Sequence, residues 1–147
     1  KVLSKEEVES RYEILMDEYE KQINIEALTM LDIAKKDILP AASKFSKELT
    51  DTIANKKAIG IDLTYELETA KKVSEYLTEA YQAMMTLEND VKKLHEIDDF
   101  EKSAFYVRDF IIQDMANLRK PCDELEVITS NSDWPFPTYG KLLFGIQ

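Results

Sequence analysis

Apolar residues recur along this chain at steps of three and four. From Val8 one stripe runs through Tyr12, Leu15, Tyr19, Ile23, Ala27, Met30, Ala34 and Ile38, which is the spacing of one face of an α-helix. Ser4-Lys5-Glu6-Glu7 stands ahead of it. This has the form of a capping box, in which the serine hydroxyl takes the amide of Glu7 and the glutamate reaches back. Beyond Pro40 the stripe resumes at Ala41, Phe45, Leu49 and Ile53. Proline removes one amide and its ring crowds the carbonyl one turn back, so a kink or short break is expected there. If continuous, the element is about 75 Å long at 1.5 Å per residue. That exceeds every other helix in the pattern, so its first turns are expected to project beyond the bundle.

Residues 55–62 form the first expected connection, with Gly60 as its flexible point and Asp62 or Thr64 placed to cap the next helix. A second stripe follows at Leu63, Leu67, Ala70, Val73, Leu77, Tyr81, Met84, Leu87, Val91 and Leu94. Asp98-Asp99 is a good start for a third helix, whose stripe is Ala104, Val107, Ile111, Met115, Leu118, Cys122, Leu125 and Ile128. Pro121 lies inside that stripe and is expected to bend it. Ser130-Asn131-Ser132-Asp133 ends it as a turn. The pattern predicts an all-α fold, an antiparallel bundle of three long helices, or four if the first breaks at Pro40. Residues 1–147 read as one helical domain with a tail over 130–147.

That tail breaks the pattern. Trp134-Pro135-Phe136-Pro137-Thr138-Tyr139 cannot begin as helix, because the two prolines fix φ and push Trp134 and Phe136 toward extended backbone. It holds the single Trp of the chain, and Leu142, Leu143 and Phe144 follow closely. Such a segment is either clamped onto the bundle or directed at a partner.

Composition supports this picture. Of 147 residues, 44% are apolar and 33% charged, with three Gly and four Pro, which leaves little material for loops. No apolar run approaches the ~20 residues that span a bilayer. A net charge of −10 argues against nucleic acid and anionic membrane as partners. Cys122 is the lone cysteine, so no intrachain disulfide can form and a reducing, cytoplasmic setting fits best. The chain begins at Lys1 rather than at a methionine, and is expected to be a piece of something longer.

The chemistry of catalysis is missing. A di-iron bundle needs a Glu-x-x-His pair on each of two helices, but His95 is the single histidine and Lys92 stands three residues before it. One Cys and one His do not make a zinc site. Cys122 lies on an apolar stripe, where a free thiol acts as a small hydrophobe. Three scattered glycines form no phosphate loop. Glu6-Glu7 and Asp98-Asp99 are explained as helix starts favoured by the dipole. No catalytic, cofactor-binding or metal residue is assigned. The residues set apart for contact with another domain or subunit are Trp134, Phe136, Tyr139, Leu142, Leu143 and Phe144.

Three segments together resemble the C-terminal region of the type III glutamine synthetases. The first is Ile23-Asn24-Ile25-Glu26-Ala27-Leu28-Thr29-Met30, continuing through Asp32, Ala34-Lys35-Lys36 and Ile38-Leu39-Pro40-Ala41. The second is Arg108-Asp109 with Met115, Leu118-Arg119 and Asp123-Glu124-Leu125-Glu126. The third is the Trp-Pro-Phe-Pro-Thr-Tyr tail with Leu142-Leu143-Phe144. The resemblance implies a parent that makes glutamine from glutamate, ammonia and ATP with divalent metal such as magnesium. It also implies a cytoplasmic double-ring oligomer whose catalytic residues lie in an upstream sheet-based domain. No metal-binding or nucleotide-binding motif of that family occurs in this chain, so none of its catalytic residues carries over.

The expected role is therefore a non-catalytic helical accessory domain, with its own upstream catalytic domain and neighbouring subunits as partners. Two other classes fit less of the sequence. One is a free-standing acidic helical interaction module that docks its tail into a groove. The other is a ligand-sensing bundle, which needs a buried polar cluster that the stripes do not show.

Overall fold

The computed structural model describes residues 4–137 and 139–145. The first rod is α1 (Lys5–Ile33), a π turn (Ala34–Ile38) and α2 (Leu39–Ala58), running without a break. The second is α3 (Thr64–Leu94). The third is α4 (Phe100–Tyr106), a second π turn (Val107–Ile111) and α5 (Ile112–Ile128). A short α6 (Tyr139–Phe144) lies in the tail.

Pairings between rods give the topology. Asn24 meets His95, Lys35 meets Glu88 and Lys56 meets Glu66. Partner numbers fall as residue numbers rise, so the first two rods are antiparallel. Asp90 meets Tyr106 and Tyr76 meets Glu124, so the second and third are antiparallel as well. Glu20 meets Ser103 and Lys44 meets Asp133, both rising, so the first and third run parallel. The result is the expected up-down-up bundle of three rods.

The helix ends follow local chemistry. Ser4 forms the predicted capping box: its hydroxyl accepts from the Glu7 amide at 3.2 Å, and the Glu7 carboxylate takes the Ser4 amide at 2.6 Å. Asp99 caps α4 by accepting from the Lys102 amide at 3.0 Å. The first connection is shorter than expected, because α2 continues to Ala58. It stops there because Gly60, at φ 74°, takes the left-handed conformation. The Gly60 amide then bonds the Lys57 carbonyl and the Ile61 amide bonds that of Lys56, closing the last turn. The expected cap of α3 does not form. Leu63 occupies the cap position, and Thr64 donates its hydroxyl to the Asp62 side chain rather than accepting a backbone amide. The start of α3 is served by Glu66, held low by Lys56 and by its own amide.

Pro40 does not break the first rod. The turn just before it widens, so that the Leu39 amide reaches the Ala34 carbonyl five residues back. A widened turn absorbs the missing amide and the ring without ending the helix. α5 runs on through Pro121, which is buried.

The core joins all three rods. Ala27, Leu31, Ala34, Ile38, Ala42 and Leu49 come from the first. Val73, Ala80, Met84, Leu87, Val91 and Leu94 come from α3, and Val107, Ile111, Leu118, Cys122 and Leu125 from the third. Burial in the first rod begins only at Ala27. Val8, Tyr12, Leu15 and Tyr19 carry the same stripe but are exposed, so the opening turns project as the length mismatch predicts.

One substitution at two places tests this division. Leu87 is fully buried and Leu15 is 64% exposed. In thermal melts, Leu87→Ala should cost about 2–5 kcal/mol. Leu15→Ala should stay within about 0.5 kcal/mol.

Candidate interaction surface

Three features of the surface are built from apolar residues that the bundle does not cover. The first is the projecting start of α1, described above. Its far end is stopped by the capping box, so the exposed stripe is presented on finished helix rather than on frayed chain.

The second is an open groove of about 480 Å³ between α1 and α5. Ile25, Met30 and Ile33 line one wall, Met115 and Cys122 the other, and Arg119 stands at the edge. Residues of the first and second segments that carry the resemblance thus converge here. The Cys122 thiol is pushed up to about 11 by burial and then by Asp123. It is a packing group, since the reactive form of cysteine is the thiolate.

The third is the tail. The Ser130 carbonyl accepts from the amides of Asp133 and Trp134, and the Ser130 hydroxyl donates to the Asp133 carboxylate at 2.5 Å. Asp133 in turn takes Lys44 of α2 at 2.7 Å. This ion pair, followed by Ser130, holds the Asp133 carboxyl below its ordinary range. Trp134 is thereby set against the core, half-buried, with Phe136 edge-on at 6.1 Å. Residues 134–137 are irregular, as the prolines require, but the chain then enters α6 instead of remaining extended. On α6, Leu142, Leu143 and Phe144 are exposed, Phe144 at 74%. The side chain of Tyr139, expected to share this contact, lies outside the described residues, as does Thr138. The tail thus divides: Trp134 packs against the core, whereas Leu142, Leu143 and Phe144 stand exposed.

The total accessible surface measures the same excess. It is 10300 Å², whereas a compact monomer of 17.0 kDa exposes about 7,700 Å².

Other candidate groups are placed plainly. His95 ends α3, exposed, with Nε2 3.2 Å from Oδ1 of Asn24. Among the described residues no group of three or more His, Cys, Asp or Glu converges to hold a metal ion. No helix among the described residues is long and apolar enough to cross a membrane.

The sequence reading missed one cluster. It found no buried polar group on the stripes beyond Cys122 and tyrosines. The structure corrects this, bringing Asp90, Lys93, Tyr106 and Asp114 together between α3, α4 and α5. The signal was present in spacing. Asp90 stands three residues after Leu87, and Asp114 stands three after Ile111 and four before Leu118, so both fall on buried faces.

Residues 1–57, nearly the whole first rod, match the family described as glutamine synthetase C-terminal domain. A glutamine synthetase of Butyrivibrio fibrisolvens is 34% identical over 99% of this chain. The chain is thus similar to the C-terminal domain of glutamine synthetases. A type-3 glutamine synthetase of Dictyostelium discoideum is 29% identical over 97% of the chain, and a glutamine synthetase of Bacteroides fragilis 23% identical over 98%. The chain spans about a fifth of the length of these relatives, 21%, 20% and 21% respectively. The family match over residues 1–57 covers the projecting stripe of α1 together with one wall of the groove.

Melting experiments separate the two parts of the tail. Trp134→Ala should lower stability by roughly 1–3 kcal/mol, less than for a fully buried Trp. Leu142→Ala, Leu143→Ala and Phe144→Ala combined should stay within about 0.5 kcal/mol.

Proposed function

We propose that this chain is a non-catalytic helical accessory domain of a type III glutamine synthetase, where it supports the catalytic domain or subunit assembly. One observation carries the reading. The stripe that builds the core continues through Val8, Tyr12, Leu15 and Tyr19, which this chain leaves exposed, Leu15 at 64% and Tyr19 at 37%. Stripes of this kind are buried in helical proteins, and an exposed run of apolar residues along one helix face marks a contact.

The length of the relatives supports the rest. They are about five times as long as this chain, and one is described as a type-3 enzyme. The parent joins ammonia to glutamate using ATP and magnesium in the cytoplasm, with that chemistry supplied by the remainder of the protein. The partners of the α1 start and of Trp134, Phe136, Tyr139, Leu142, Leu143 and Phe144 are the upstream catalytic domain and neighbouring subunits. Nucleic acid and membrane are not partners, in keeping with the −10 charge.

Two measurements test this. The isolated 147-residue chain, given glutamate, ammonia, ATP and magnesium, should form no glutamine above blank; formation overturns the non-catalytic role. In the full-length parent, Leu15→Asp should reduce the assembled fraction in sedimentation while leaving the melt of the isolated domain unchanged. Assembly equal to wild type would mean that the stripe is not the contact.

A further inference from the structure

Asp90 and Asp114 face each other across the seam between α3 and α5. Asp90 is 8% exposed. It accepts the Tyr106 hydroxyl at 3.1 Å and the Lys93 ammonium at 2.5 Å. The Asp114 carboxyl lies beside that of Asp90, and among the described residues no donor reaches its enclosed Oδ2. Ionised carboxylates only accept hydrogen bonds, so two of them cannot bond to each other unless one carries a proton. The neighbouring donors decide which one. Lys93 and Tyr106 both address Asp90, so Asp90 is the anion and Asp114 the acid. We propose that Asp114 shares its proton with Asp90 as a latch, and that losing this proton sets two like charges across the α3–α5 seam and loosens it.

The surroundings fit this assignment. From α3 the charged groups facing Asp114 are Asp90 and Lys93, with Glu79 at the outer rim; from α4 it is the Tyr106 phenol. A polar groove of about 290 Å³, lined also by Gln82, Thr86 and Asn117, brings solvent to the rim. Burial first, then the Asp90 charge, pushes the Asp114 carboxyl up to about 6, with Lys93 opposing. Burial alone would raise Asp90 too, but the bonds from Lys93, Asp114 and Tyr106 outweigh it and hold Asp90 low.

The sign follows from linkage. The folded chain binds the Asp114 proton more tightly than the unfolded chain does. Its contribution is complete below the ordinary aspartate range near ~4 and is lost as pH rises to about 6. Asp90 acts oppositely, its contribution being lost only on acidification below that range.

A carbon-13 titration of the aspartate carboxyls in the 147-residue chain tests the pair. Asp114 is expected to titrate near 6, and Asp90→Asn should bring that midpoint down by at least about one pH unit, since the paired charge is gone. The wild-type melting temperature should fall between about pH 4.5 and 6.5. Asp114→Asn, whose amide donates to Asp90 at every pH, should flatten that fall. An Asp114 midpoint near ~4 in the wild type overturns the shared proton, whatever the variants do. A midpoint near 6 with superimposable melting profiles for wild type and Asp114→Asn overturns the latch.

Discussion

The bundle depends on the apolar face of α3. This helix packs against the first rod on one side and the third on the other, so Val73, Leu87 and Leu94 are shut away from water. Each such side chain adds roughly 1.5–3 kcal/mol of burial. The first and third rods, by contrast, run parallel and touch chiefly where α1 meets α4 and the second π turn, as at Glu20 and Ser103. Both lie antiparallel to α3, the arrangement in which helix dipoles oppose. The polar seam at Asp90 and Asp114 sits within the α3–α5 contact, so any change there acts on the interface that holds the third rod in place.

A single long partner fixes how much of the first rod can be covered. α3 has 31 residues, whereas α1, the π turn and α2 span 29, 5 and 20. The surplus falls at the start, because the Gly60 turn ties the other end to α3. The tail occupies the opposite side of the same problem. Its turn is pinned to α2 through Asp133 and Lys44, which sets Trp134 on the core and leaves α6 beyond it.

Much of this was legible in the chain itself. The stripe positions from Ala27 to Leu125 are nearly the core, because amphipathic spacing is a direct consequence of helical geometry. Ser4 and Asp99 were readable as caps, since capping is decided within four residues. Leu63 was not, because the competing Thr64–Asp62 bond withdraws both expected side chains from the backbone. The π turn before Pro40 is a tertiary compromise: the proline announces a disturbance, but only packing of Ala34 and Ile38 into the core keeps the helix going. Asp114 was hidden for another reason. A carboxylate within a helix reads as solvated until its covering helix is known. The contact side chains on α6 were legible as a cluster, but not their division from Trp134, which rests on one ion pair 89 residues apart in sequence.

The projecting turns of α1 have a thermodynamic consequence. A peptide of that length in water would be mostly coil, since the first helical turn must be nucleated at a loss. Here the nucleus already exists in the packed half of the same helix, and the Ser4 box closes the far end. The segment is therefore preorganised. When a partner covers it, little conformational entropy remains to be removed, and the free energy of burial goes almost entirely into affinity.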